Sequence, residues 1–119
     1  MTPTQRTLRT LREAGYTAVV VERWNPHARV RQDLWGWADI LAYDQNEIIA
    51  IQVCTATDLS RRRQKLLQNP HLRTWLQHPT RRAEIWAWRC KKQRQTARRH
   101  TWHLQRHPIC LSEREESEQ

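Results

Sequence analysis

Two apolar runs separated by four polar residues constrain this chain more than any other feature. Trp37-Ala38-Asp39-Ile40-Leu41-Ala42-Tyr43 is apolar apart from its aspartate, Asp44-Gln45-Asn46-Glu47 has turn composition, and Ile48-Ile49-Ala50-Ile51-Gln52-Val53-Cys54 resumes the apolar run. The pattern predicts a β-hairpin with one polar side chain near the start of its first strand and one near the end of its second. Antiparallel pairing brings those ends together, so Asp39 and Gln52 are expected within a few ångströms of each other at one edge of a sheet.

The remaining elements are placed around that hairpin. Thr2 or Thr4 caps a first helix with Pro3 in its first turn, Leu8, Leu11 and Ala14 give it an apolar stripe, and Gly15 ends it. Thr17 to Trp24 is β-branched and reads as a strand. Asn25 to Gly36 is a long connection, polar at first and then aromatic. A helix is expected from Leu59 to Leu67, carrying Arg61, Arg62, Arg63 and Lys65; Asn69-Pro70 breaks it, and Leu72 to Leu76 adds a short second one. Ala83 to Trp88 is a fourth strand, Arg89 to Arg99 a basic loop or arm, and Thr101 to His107 a fifth strand. The glutamate-rich end, residues 112–119, has the composition of a disordered tail, which leaves residues 1–111 as one domain.

With 119 residues, the chain can bury one core of modest size, and a homodimer would help to stabilise it. Lys and Arg number 21 against 12 acidic residues, and the tail takes four of those acids, so the body is more basic than the net +9. Such a field attracts polyanions, nucleic acid above all, through phosphate neutralisation and counterion release. Eighteen of the 21 cations are Arg, whose planar fork suits phosphates and stacks on bases. A merely solvated basic surface is the plainer alternative. Cys54, Cys90 and Cys110 are odd in number and lack CxxC spacing, so neither a disulfide framework nor a zinc ribbon is indicated. No signal-like segment and no long apolar run is present, which predicts a soluble protein in a reducing, intracellular setting.

The order helix, three strands, helix, strand is αβββαβ. With Asp39 and Gln52 on the second and third strands, the chain resembles the restriction-endonuclease-like PD-(D/E)xK superfamily, and within it the small Holliday-junction-resolvase-like and phage-borne nucleases. The resemblance runs from about Pro3 to Trp88 and rests most on Arg31-Gln32-Asp33-Leu34-Trp35-Gly36-Trp37-Ala38-Asp39-Ile40 and Ile51-Gln52-Val53-Cys54-Thr55. It implies an α/β fold with a mixed central sheet flanked by helices. It also implies a Mg²⁺- or Mn²⁺-dependent nuclease acting on DNA, branched DNA such as Holliday junctions included.

Under that resemblance Asp39 takes the place of the aspartate that binds the cation, preceded by Ala38 where a proline is common. The second acidic position falls on Gln52, whose amide oxygen can coordinate Mg²⁺ without adding charge. Asp33 and Glu22 are candidates to supply the missing carboxylate, with Glu13 behind them. Cys54 stands where the family has its lysine, and a thiol brings no positive charge. Lys65 on the following helix is the candidate replacement, with Arg61 or Arg62 as substitutes. Arg29, Arg31, Arg61, Arg62 and Arg63 would grip phosphates, and Trp35 would stack on splayed bases.

Each assignment has an ordinary competitor. Asp39 could cap a turn, Gln52 could face a solvated edge, and Lys65 could belong to a solvated helix face. Trp35, in a domain without Phe, could fill the core or a dimer interface. His100, His103, His107 and Cys110 match no zinc template. The alternative to a nuclease is a catalytically impaired protein of the same fold that binds nucleic acid without cutting it.

Overall fold

The structure, a computed structural model, describes residues 1–92 and 100–111. The glutamate-rich tail and residues 93–99 of the expected basic arm lie outside the described residues.

Helix α1 (Pro3–Glu13) begins where local chemistry says it should. Thr2 accepts a hydrogen bond from the Gln5 backbone N–H, the Gln5 side chain accepts one from Thr2 N–H, and Pro3 occupies the first turn. Gly15, at φ +94°, ends it in the left-handed conformation that only glycine adopts freely. The helix buries Thr7 and Leu11. Leu11 packs on Ala18, Ile40, Ala42, Ile49, Ile51 and Trp86, the core of one sheet face.

The sheet has five strands in the order β1-β4-β5-β6-β7. Strands β1 (Thr17–Val20), β4 (Ile40–Tyr43) and β5 (Ile48–Thr55) form an antiparallel meander. The β4–β5 turn is built by Asp44, whose carboxylate accepts from the N–H groups of Asn46 and Glu47. Strand β6 (Arg81–Lys92) returns parallel to β5, and β7 (His100–Ile109) pairs antiparallel to β6. A parallel return needs a crossover, here a 3₁₀ turn (Ala56–Asp58), α2 (Leu59–Leu67) and α3 (Pro70–Leu76). Asn69 ends one helix and caps the next by accepting from His71 N–H, with Pro70 at the first helical position.

Leu66, Leu67 and Leu72 from these helices cover Ala50, Cys54, Ala83, Ile85 and Ala87 on the second sheet face. The central strands are thus covered on both sides, which is why their sequences are nearly continuous apolar runs. The architecture is mixed α/β, with helices on both faces of a mixed sheet. Among the described residues no helix is long and apolar enough to cross a membrane.

Three expectations need correction. The strand read as Thr17 to Trp24 breaks after Val20, because the backbone N–H groups of Val21 and Glu22 both turn to the Asp39 carbonyl, at 2.8 and 3.4 Å. The connection read from Asn25 onward contains a separate two-stranded ribbon, β2 (Arg23–Asn25) and β3 (Val30–Gln32), in which Trp24 lies opposite Arg31. Arg89 to Lys92, read as part of a loop, continues β6 because β7 pairs along its whole length.

Candidate metal centre

Asp39 lies at the point where β1, β4 and β5 meet. Its N–H donates to the Ile51 carbonyl at 2.9 Å, and its own carbonyl accepts from Val21. Its side chain is 6% exposed and accepts from Val53 N–H at 2.8 Å. The β4–β5 ladder ends with Ile40 opposite Ile51; Asp39 lies in a bend just before it with its N–H on the same Ile51 carbonyl, so the expected direct pairing with Gln52 is not formed. Gln52 is buried on the sheet face that carries Ala50, Cys54 and the α2–α3 leucines.

The approach to Asp39 is a tight turn. Trp37 N–H donates to the Leu34 carbonyl across Trp35 (φ +58°) and Gly36 (φ +80°), so both central residues are left-handed. A tryptophan in that region is strained and is retained only where its surroundings hold it. Here its ring lies 5.0 Å from that of Trp75 and 6.3 Å from that of Trp37, and its carbonyl accepts from Asn69 Nδ2 at 2.9 Å. The half-buried Trp35 therefore does the work of core packing, and fixes Asp33 at one end of the turn and Asp39 just past the other.

The result is a cluster of three carboxylates. Oxygen atoms of Glu22, Asp33 and Asp39 all lie within 4.8 Å of one another, and among the described residues no other three acidic, histidine or cysteine side chains converge in this way. Burial, a hydrogen bond shared with Asp33 and the negative charges of Asp33 and Glu22 push the Asp39 pKa up to about 8, against the lowering effect of the Val53 N–H. Asp39 accordingly keeps a proton at neutral pH when nothing positive sits in the cluster. Glu22 is held by Arg31, whose Nη1 lies 2.9 Å from Oε1. Glu13, the third carboxylate candidate, is paired with Arg9 on the exposed side of α1 and is not among the three.

The cations divide by helix phase. Cys54 is buried, which is the main reason its thiol is pushed up to about 11; the Arg62 charge is the largest opposing influence. Arg62 is half-buried and its Nε, fully shielded from solvent, has no hydrogen-bond partner among the described residues. Arg62 and Leu66 are one helical turn apart and so share a face of α2. Lys65 is exposed on its flank. Arg61 pairs with Asp58 at 3.2 Å, Arg63 is half-buried and already engaged, and Arg29 is exposed in the ribbon turn.

A surface groove of about 590 Å³ opens beside the end of β5, lined by Thr55, Thr57, Trp88, Arg89, Cys90 and Trp102 among others; none of the three carboxylates lines it. The two sets of polar groups are distinct. Comparison with protein-family models, curated proteins and solved structures finds no match to this chain.

Proposed function

We propose that the protein is a divalent-metal-dependent nuclease of DNA with a restriction-endonuclease-like αβββαβ core, the elements being α1, β1, β4, β5, α2 and β6. The observation that carries this reading is the convergence of Glu22, Asp33 and Asp39 where the two-stranded ribbon meets the mixed sheet, with Arg31 bonded to Glu22. Three carboxylates this close repel one another and force a proton onto Asp39; a hard cation relieves that repulsion, and oxygen ligands are what Mg²⁺ or Mn²⁺ takes. Asp39, Asp33 and Glu22 would hold the ion, with the buried Gln52 amide on β5 as the candidate neutral fourth donor. When bound, the ion acidifies a coordinated water and offsets charge on the phosphate.

The chain departs from the family motif at Gln52 and Cys54, and neighbouring residues supply what those positions lack. Asp33 and Glu22 restore the negative charge that glutamine does not bring. Arg62 restores positive charge beside the neutral Cys54 thiol, better placed by its burial than Lys65, which is exposed. Arg31 and Arg29 on the ribbon would contact flanking phosphates.

A second reading, binding to nucleic acid without cleavage, is favoured by one specific observation: neither motif position on β5 carries a charge. One assay separates the two. Labelled four-way junction, flap, duplex and single-stranded DNA are incubated with the protein in Mg²⁺ or Mn²⁺, beside Asp39→Asn, Arg62→Ala and Lys65→Ala. The nuclease reading expects metal-dependent cutting that Asp39→Asn abolishes, that Arg62→Ala reduces about 100-fold as loss of a transition-state charge contact does, and that Lys65→Ala leaves near wild type. Tight binding with no cutting in any metal would leave the binding reading standing.

A further inference from the structure

Six of the seven tryptophans are accounted for by packing. Trp35, Trp37 and Trp75 stack together, Trp86 lies under Arg106 and donates to Glu84, Trp88 donates to Thr7, and Trp102 lies under Arg6. Trp24 is the exception: it is 58% exposed, and among the described residues neither its ring nor its indole N–H has a partner. A lone exposed apolar side chain is ordinary, and Val19 and Tyr43 are as exposed; what sets Trp24 apart is an open indole face set among arginines.

Its position says what covers it. Trp24 lies directly opposite Arg31 in the β2–β3 ribbon, so the two side chains share one ribbon face. Glu22, two residues before Trp24 and bonded to Arg31, belongs to the acidic cluster. The ring is therefore one cross-strand neighbour away from the candidate metal centre. Arg23, His27 and Arg29 also project from the ribbon, whose ten residues carry no acidic side chain. The turn of the ribbon is held from within the chain: Asn25 Oδ1 accepts from His27 and Ala28 N–H at 2.9 and 3.1 Å.

We infer that the β2–β3 ribbon is a binding arm for an unpaired DNA nucleotide next to the cleaved phosphate, with Trp24 stacking on its base and Arg31 taking its phosphate. The inference deepens the nuclease reading and rests on it for the identity of the polyanion. An aromatic face beside arginines fits a base that has left the duplex, because every base offers a π-face while a paired base does not expose it. It does not fit a second copy of this chain, since two such ribbons would set their arginines against each other.

The test is done in EDTA, where cutting does not interfere. The full-length protein is titrated into single-stranded DNA carrying 2-aminopurine, and into the same strand fully paired. The wild type should quench the probe in the single strand. Trp24→Ala should remove the quenching and weaken single-strand binding about tenfold, with duplex binding changed less than about twofold, while Trp24→Phe keeps most of both. Equal losses on both DNAs, unchanged quenching in Trp24→Ala, or a fall in sedimenting mass in that variant would overturn the proposal. Quenching in a protein that cuts no substrate in Mn²⁺ would sink the nuclease reading and leave the arm, whereas cutting without quenching would do the reverse.

Discussion

Asp39 shows how far a single residue could be read from sequence. An aspartate inside an apolar run is conspicuous, but its expected opposition to Gln52 is not formed, because the ladder ends at Ile40 and Asp39 turns away to meet Val21 and Val53. Its proton is not legible, because it depends on Asp33 and Glu22 arriving from a turn and a strand end whose paths sequence periodicity does not encode. The energetic consequence has a definite sign. Asp39 titrates near 8 in the folded protein and near 3.8 when exposed, so the folded state holds a proton that the unfolded chain releases. The stability this brings is complete below the unfolded value and is lost as pH rises through about 8. Asp39→Asn keeps an acceptor for Val53 N–H and removes the titration. Relative to the wild type it should therefore gain stability in metal-free buffer between pH 5 and pH 9, by up to about 4 kcal/mol; urea denaturation at the two pH values measures it. A gap that widens on acidification would contradict the shared proton. Arg62 and Lys65 teach the complementary lesson: both were visible as cations on one helix, but which of them turns inward depends on how Leu66 and Leu72 seat α2 and α3 on the sheet.

At the scale of elements, regular periodicity was a good guide and irregular segments were not. Helix α2 begins and ends where its leucines and the Asn69-Pro70 break predict, and β5 is the apolar run extended by Thr55. The β2–β3 ribbon was missed because Asn25-Pro26-His27-Ala28 reads as loop, and its two strands are only three residues each. The left-handed pair Trp35-Gly36 was equally hidden, since a tryptophan gives no warning of positive φ. That turn allows a direct check. Gly36 sits at φ +80° with Asn69 Nδ2 only 3.4 Å from where a Cβ would be. Gly36→Ala should cost about 1–2 kcal/mol from the left-handed penalty, read as a lowered denaturation midpoint. The same substitution should impair metal binding, because Asp33 and Asp39 flank the turn. An alanine variant of unchanged stability would mean that the turn relaxes freely.

Over the whole molecule, the mixed α/β class and the mixed sheet were legible because most of the strands and helices left their own local pattern, whereas the polar ties between distant elements were not. Tyr16 donates to Glu47 at 2.6 Å, Arg82 bridges Glu47 and the fully buried Glu84 at 2.8 Å each, and Arg106 on β7 closes the chain on Glu84 at 2.9 Å. Burial alone would make Glu84 expensive, and two guanidiniums with the Trp86 indole offset that cost. The shared hydrogen bond with Glu47 pushes the Tyr16 hydroxyl up to about 12. Arg106→Ala leaves Glu84 with one cation and uncovers Trp86, and should cost about 2 kcal/mol. Hydrogen exchange should show the loss concentrated along β6 and β7; a uniform loss would argue that Arg106 acts on the sheet as a whole.

Glu22 and Asp33 stand at the two feet of the ribbon, so its strands cannot tilt without carrying both acids with them. Under the proposed role, a ligand gripping the tip of that finger would shift both acids, and a cation held between the acids would steady the finger in turn.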